Sequence, residues 1–266
     1  MLRAVARSVL PDPVAASIAR RMEERAGRRR VIDLGGARVL REAPADSLRD
    51  PERLGALLAE GGLNDEHMEQ FPAHLHPHCG KGLRLWQLPN QFAPYLIEIA
   101  RHGVRRYLEI GVRHGGSFSA TVEYLSRVGD LEEAVAVDID AVPALLPYPL
   151  DQPSVRLMQA DTMTDRFAAW MRRTPGFDLA FVDGLHTYEG CRRDFETVRP
   201  HARMIALHDI SNDIEPEVGR VWADVRREYA DAYDFHEFTA QYSPREFAGQ
   251  RDESPPNMGI GLAIRR

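Results

Sequence analysis

An acidic residue and several glycines stand close together near the middle of the chain: Glu109, Gly111, Gly115 and Gly116. They follow an apolar run that is typical of a buried strand. Glycines let the backbone turn tightly and approach a ligand closely. Ser117 comes next and is predicted to be the N-cap of a helix, whose first N–H groups would point at the ligand. The pattern therefore predicts a nucleotide-type cradle.

The charges of this turn favour a cationic ligand over a pyrophosphate. A phosphate-binding turn has the pattern G-x-G-x-x-G, but Arg113 occupies the second glycine position and Glu109 precedes the first glycine. S-adenosylmethionine (SAM) carries an ammonium and a sulfonium group, and it fits an acidic turn of this kind.

Further carboxylates follow the predicted strands, at Asp138, Asp161, Asp183 and Asp209. Ligands of open α/β sheets bind beyond the carboxyl ends of the strands. Together with Glu109, these side chains would line a single edge of the sheet. Like charges at close range are costly unless a cation or hydrogen bonds offset them. Any one of them could be a turn former, but the set indicates a binding edge.

Two of these carboxylates are placed to bind a nucleoside. Asp138 lies where an acidic side chain accepts hydrogen bonds from ribose hydroxyls in such folds, and Asp140 is its nearby competitor. Asp161, one strand over, is placed to reach an adenine amino group. Asp165 is the less favoured alternative for that role.

The other two suit a metal ion. Asp183 and Asp209 follow neighbouring strands and make a plausible divalent-cation site. His208 adjoins Asp209 as a metal ligand or a supporting residue, and a nitrogen ligand shifts preference from magnesium toward manganese or another transition metal. His186, in the loop after Asp183, is suited to removing a hydroxyl proton. A helix-capping or packed histidine is the structural alternative.

A second histidine cluster precedes the regular part of the chain: His74, His76, His78 and Cys79. Its spacing could support a zinc ion, but no second ligand pair at zinc-finger spacing accompanies it. Neighbouring prolines mark the segment as a loop. We favour a loop that covers the substrate.

The elements that must position these residues alternate between strands and helices. Strands are predicted at Arg106–Ile110, Ala134–Val137, Val155–Met158, Leu179–Val182 and Met204–Leu207. Apolar strands alternating with one-sided helices indicate a parallel sheet covered on both faces. Tyr233–Phe238 and Met258–Ile264 have no helical pattern between them, which predicts an antiparallel pair closing one edge of the sheet.

The N-terminal part is less regular. Ile18–Arg30 and Pro51–Glu60 are helix candidates. We predict a helical or irregular cap or oligomerisation region over residues 1–84, and the ligand-binding domain over residues 85–266.

Composition narrows the classes of function. The chain has 266 residues, 44% of them apolar, and a net charge of −6, which gives no reason to expect nucleic acid as a partner. Cys79 and Cys191 are too few for a disulfide framework. Neither a membrane span nor a signal peptide is visible, so a cytoplasmic location is expected.

Residues 82–266 resemble class I SAM-dependent methyltransferases. They are most similar to the metal-dependent O-methyltransferases of natural-product sugars and to the cephalosporin-hydroxylase-like group. The segments that carry this resemblance are Leu85–Asn90, Tyr107–Ser117, Phe181–Glu189 and Leu207–Asp209.

The resemblance implies a Rossmann-like α/β fold: a seven-stranded, mostly parallel sheet of order 3-2-1-4-5-7-6, with helices on both faces and an antiparallel last strand. It implies a SAM site at Glu109, Gly111, Gly115, Ser117, Asp138, Asp161 and Gln87, with the first two bordering the methionine part. It further implies a divalent ion, magnesium or manganese, on Asp183 and Asp209, and His186 as general base. His208 stands where the sugar methyltransferases commonly carry a glutamate.

The leading hypothesis is O-methylation of a hydroxyl on a sugar or polyol-like small molecule. A catechol-like acceptor is an alternative that the same metal chemistry would serve. A non-catalytic SAM-binding or assembly protein of a glycan pathway is another. An NAD-dependent oxidoreductase is disfavoured by Arg113 and by the cluster around Asp183. A homo-oligomer is left open, because related enzymes are often multimeric.

Overall fold

A computed structural model describes residues 32–142, 145, 154–247 and 258–266. Ile32–Arg266 form one compact unit. The predicted helix Ile18–Arg30 lies outside the described residues. None of the helices within the described ranges combines the length and the apolar character needed to cross a lipid bilayer.

The core is a sheet of seven strands in the order β3-β2-β1-β4-β5-β7-β6. Strands β1 to β5 pair in parallel, while β7 is antiparallel to both β5 and β6. Their bounds are β1 Arg106–Ile110, β2 Glu133–Asp138, β3 Ser154–Gln159, β4 Phe177–Val182, β5 Ala202–His208, β6 Tyr233–Phe238 and β7 Ile260–Arg265. The predicted order, the mostly parallel pairing and the antiparallel closing pair are all confirmed.

Both faces of the sheet are buried. Side chains alternate between the faces along a strand, so Tyr107 joins one hydrophobic cluster whereas Leu108 and Ile110 join the other. This explains why the central strands are largely apolar, as parallel sheets covered on both sides require.

Seven helices are described: α1 Arg38–Glu42, α2 Pro51–Gly61, α3 Pro89–Arg101, α4 Gly116–Val128, α5 Asp165–Met171, α6 Tyr188–Val198 and α7 Glu217–Glu228. Helices α1 to α4 pack in the first cluster and α5 to α7 in the second. One face of α7 is apolar and buried, with Val218, Val221 and Val225 in the core.

One predicted helix start is wrong. We expected Ser117 to be the N-cap of α4, but the helix begins at Gly116 and its N-cap is Gly115, with a left-handed φ of 89°. The physical reason is that the Ser117 hydroxyl donates to the carboxylate of Glu109 instead of accepting a backbone N–H. The serine therefore joins strand to helix through a side chain.

An ion pair connects the segment before the sheet to helix α4. Arg41 on α1 makes two hydrogen bonds, of 2.6 and 2.5 Å, to the carboxylate of Glu123 on α4. Leu40 and Leu54 belong to the same hydrophobic cluster as the first face of the sheet. A role of residues 1–84 as a cap or an oligomerisation region stays a prediction.

Candidate active site

The predicted carboxylates lie at the carboxyl ends of adjacent strands. Strand β1 pairs with β2 on one side and with β4 on the other, and β5 follows β4. The turn after β1 packs directly on the turn after β4. A Cβ atom on Gly111, whose φ is +83°, would lie 2.1 Å from the carbonyl oxygen of Asp183. A glycine is therefore required there.

Glu109 is fully buried beneath this turn. Its carboxylate accepts hydrogen bonds from the hydroxyls of Tyr107 and Ser117. Burial raises the pKa of Glu109 to about 8, although both hydroxyls act in the opposite direction. The carboxyl group is thus largely protonated at neutral pH until a cation reaches it.

Asp183 is the centre of the polar cluster. Its Oδ1 lies 3.1 Å from Nε2 of His186 and 3.1 Å from Nδ1 of His208. The Gln87 amide donates to its Oδ2 at 3.3 Å. Burial alone would raise the pKa of Asp183, but the two histidines hold it well below the usual range. Asp183 is therefore an ionised carboxylate inside the protein.

His208 and Asp209 offer ligand atoms without partners. Both residues are buried, and neither Nε2 of His208 nor Oδ1 of Asp209 has a hydrogen-bond partner among the described residues. Ligand atoms of Asp183, His208 and Asp209 all lie within 4.8 Å of one another. Buried polar atoms without a hydrogen-bond partner are rare, and a bound ion is one explanation for them. This nitrogen and oxygen set fits a divalent cation, and it suits manganese better than magnesium.

His186 lies among three carboxylates. Its Nε2 faces Asp183, and its Nδ1 contacts Glu215 and lies 3.3 Å from Oδ2 of Asp209. Burial would lower the pKa of His186, but the hydrogen bonds to Asp183 and Glu215 raise it to about 11. In this arrangement the ring is an imidazolium with both nitrogens engaged.

Glu215 is a site residue that we did not predict from the sequence. It lies in the loop between β5 and α7, and its side chain is half-exposed. With His186 and Asp209 it forms a second group of ligand atoms within 4.8 Å. Asp213 and Glu217 flank it in the sequence, and no pattern shows which of the three acidic side chains turns toward the site.

Asp138 contacts the glycine-rich turn after β1 from the end of the neighbouring strand. Its Oδ2 accepts from the backbone N–H of Arg113 at 2.8 Å, and its Oδ1 accepts from the N–H of Asp140 at 2.8 Å. Asp138 therefore lies at the end of β2, against the glycine-rich turn. The competitor Asp140 contributes its backbone to holding that carboxylate.

Asp161 is exposed at the end of β3 and forms a local turn. Its Oδ1 accepts from the N–H of Met163 at 2.9 Å, and its carbonyl accepts from the Thr164 hydroxyl at 2.7 Å. Asp165 is exposed and lies 3.4 Å from Arg193. A contact of Asp161 with adenine stays a prediction.

The histidine cluster before the sheet belongs to neither group of metal ligands found among the described residues. The segment Ala73–His78 is a short 3-10 helix. Nε2 of His76 lies 3.0 Å from the carbonyl of Phe71, and Cys79 and Cys191 are both free thiols. His74 contacts the ring of Tyr242. A substrate-covering role for this loop stays a prediction.

Residues 108–210 match a family model described as a methyltransferase domain. No curated protein matches the chain.

Solved structures of O-methyltransferases are among those similar to it. An O-methyltransferase from Bacillus cereus in complex with S-adenosylhomocysteine (SAH) is 14% identical, with a TM-score of 0.50, over 85% of this chain and 93% of that one. TomG, an O-methyltransferase from Streptomyces achromogenes involved in tomaymycin synthesis, in complex with SAM, is 16% identical, with a TM-score of 0.46, over 81% and 98%. At 14% identity, the likeness to the first of these establishes the fold.

Proposed function

We propose that this chain, whose residues 108–210 match a methyltransferase domain, is a SAM-dependent methyltransferase that acts on a hydroxyl of a sugar or polyol-like small molecule. The observation that carries the proposal is the convergence of Asp183, His186, His208 and Asp209 at the edge where β1 presents Glu109. A hydroxyl is a poor nucleophile at neutral pH, so its methylation needs charge stabilisation and a proton acceptor. This cluster contains groups for both tasks.

The proposed SAM site surrounds the turn after β1. Glu109 and Gly111 would border the methionine part, and Asp138 would accept from the ribose hydroxyls. Gly115 and Ser117 would shape the turn, Asp161 would reach the adenine, and Gln87 would lie between the cofactor and Asp183. The loops after β4 and β5 would then border the acceptor.

A divalent cation is proposed on Asp183, His208 and Asp209, whose donor atoms fit one. Such an ion stabilises developing negative charge on an oxygen and orients a neighbouring hydroxyl. The mixed nitrogen and oxygen donors favour manganese over magnesium.

We assign proton removal to His186. The ring accepts a proton only when it is neutral, so the carboxylates of Asp183 and Asp209 must then be balanced by a different positive charge. Glu215 would keep the ring oriented through Nδ1, leaving Nε2 as the atom that accepts the proton.

The experiment is a transfer assay with protein freed of metal by chelation. SAM is supplied with pooled sugar and polyol acceptors, with and without added manganese, and methylated products are identified by mass spectrometry. We expect O-methylated product that depends on added metal and is lost in Asp183→Asn. SAH binding without transfer to any acceptor would contradict an enzymatic role and favour the non-catalytic SAM-binding alternative.

A catechol-like acceptor is the second candidate, and one observation favours it. Leu185 and Ile214 are exposed by 44% and 69%, and they are the chain neighbours of His186 and Glu215. Exposed apolar side chains beside a polar cluster suit an acceptor that has an aromatic face next to its hydroxyl. A higher rate of methyl transfer to catechols than to polyols of similar size would favour this candidate.

A further inference from the structure

A buried carboxylate outside the proposed metal cluster holds the glycine-rich turn. The side chain of Glu66 is only 2% exposed. One of its oxygens pairs with the guanidinium of Arg113, and the other lies 3.1 Å from Nε2 of His114. These are consecutive residues of the turn after β1. A single carboxylate therefore fixes two neighbouring side chains of the proposed SAM site.

The charges make this contact strong. Burial would raise the pKa of Glu66, but hydrogen bonding to His114 and the charge of Arg113 lower it below its ordinary value. The pKa of His114 is lowered, chiefly by burial. Glu66 is thus ionised at neutral pH, and it accepts one charged and one neutral hydrogen bond.

A second side chain from the part of the chain before the sheet also contacts Arg113. Its guanidinium lies 4.5 Å from the ring centroid of Trp86, a cation–π distance. The Trp86 indole donates to Gln70 at 2.8 Å, and His67 stacks on the ring at 5.4 Å. The tryptophan is itself held in place, so it is a fixed surface for Arg113.

The backbone conformation of Arg113 shows what its contacts with Glu66 and Trp86 stabilise. Its φ is +49°, in the left-handed region that is unfavourable for a residue with a side chain. In that conformation its N–H reaches Asp138 at 2.8 Å. Side-chain contacts with Glu66 and Trp86 therefore stabilise a backbone conformation that the carboxylate at the end of β2 requires.

We propose that Glu66 is a positioning residue for SAM, which acts through Arg113 and His114 to set the glycine-rich turn and Asp138 against the cofactor. The inference rests on the proposed function in one respect, that this turn is the SAM site. It does not depend on the acceptor, the metal or the role of His186.

The test is SAH affinity measured by calorimetry on the full chain. Glu66→Gln keeps the size of the side chain and removes its charge, and we expect SAH to bind roughly tenfold more weakly. The KM for SAM should rise while kcat at saturating SAM changes by less than about twofold, since no group at the reacting atoms is altered. Glu42→Gln is the matched control. Glu42 pairs with Arg38 at an exposed position, and loss of its charge should leave SAH affinity unchanged.

A double-mutant cycle separates positioning from general stability. Arg113→Gln removes the charged partner of Glu66 at a half-exposed position, and it should also weaken SAH binding. The two changes together should cost less than the sum of the single losses, because both break the contact between Glu66 and Arg113. A lower melting temperature with parental SAH affinity in Glu66→Gln would overturn the inference, as would fully additive losses. Failure of the parent protein to bind SAH would overturn the proposed function as well.

Discussion

At the scale of single residues, the burial of Glu109 decides its chemistry. A carboxyl group with no exposed surface and two hydroxyl donors is held mainly in its neutral form. An arriving ammonium group reverses that preference, because an opposite charge at close range favours the ionised carboxylate. Cofactor binding should therefore release a proton.

We predict that SAM or SAH binding near pH 7 releases close to one proton, since the pKa of Glu109 in the unbound protein is about 8. Calorimetry in buffers of different ionisation enthalpy measures this number. In Glu109→Gln the release should vanish. Binding enthalpies that are the same in all buffers would contradict this role of Glu109.

The same shift predicts the pH dependence of stability. The folded pKa of Glu109 lies above the ordinary value of 4.5, so the folded protein binds the proton more tightly than the unfolded chain does. This contribution to the free energy of unfolding therefore falls as pH rises from about 4.5 to about 8. Urea titrations of Glu109→Gln over that range should show a flatter profile than the parent.

His186→Ala should slow methyl transfer by roughly a hundredfold or more if this ring accepts the proton. SAH affinity should stay close to the parental value, because His186 contacts carboxylates of the proposed metal cluster and not the glycine-rich turn. Rapid single-turnover measurements isolate the chemical step. Unchanged turnover with intact cofactor binding would remove His186 from the mechanism.

The location of a side chain could be predicted from the sequence where the residue directly follows a strand. Asp183 and Asp209 each follow an apolar strand, and parallel pairing brings their carboxylates together whatever the loops do. Glu215 and Glu66 were missed because their positions depend on the paths of irregular loops. Arg113 was recognised as a departure from a phosphate-binding turn, but its partner lies 47 positions away in the chain.

At the scale of elements, two glycines with positive φ provide a matched pair. A methyl group on Gly111 would lie 2.1 Å from the carbonyl oxygen of Asp183, whereas no described atom lies within 4 Å of a methyl group on Gly103, whose φ is +66°. Gly103→Ala should cost only backbone strain, about 1 kcal/mol. Gly111→Ala should cost more, because the turns after β1 and β4 must also separate. Urea unfolding of both variants checks this, and equal losses would contradict the close packing of these turns.

The ion pair between α1 and α4 offers a second element-scale test. Arg41→Ala leaves Glu123 buried without its bidentate partner, and we expect the free energy of unfolding to fall by about 2 kcal/mol. Arg38→Ala on the same helix breaks a pair whose side chains are 73% and 65% exposed, and it should change stability by less than about 0.5 kcal/mol. Chemical denaturation of both variants measures the difference. A similar small loss in both would show that α1 is not anchored through Arg41.

The start of α4 shows the limit of local capping rules. A serine ahead of an apolar helical pattern is a good N-cap, but Ser117 bonds to Glu109 instead. A buried carboxyl group that lacks donors costs more than a lost cap. Tertiary packing therefore shifts the cap to Gly115.

At the scale of the whole molecule, strand composition was enough to predict a mostly parallel sheet covered on both faces. Apolar runs separated by one-sided helices leave few topologies, and the resemblance to methyltransferases supplied the order that the structure has. The packing of residues 32–84 was not predictable, because their pattern is irregular and their partners lie far along the chain. A cytoplasmic location stays a prediction from the sequence.

The most direct test is a crystal structure of the chain grown with SAH and manganese, with the metal located by its anomalous scattering. We predict one manganese ion on Asp183, His208 and Asp209, and SAH across the carboxyl ends of β1 and β2 beside Glu109 and Asp138. A manganese ion bound elsewhere, or SAH bound away from this edge, would contradict the proposal that these carboxylates hold a cationic methyl donor and a metal together.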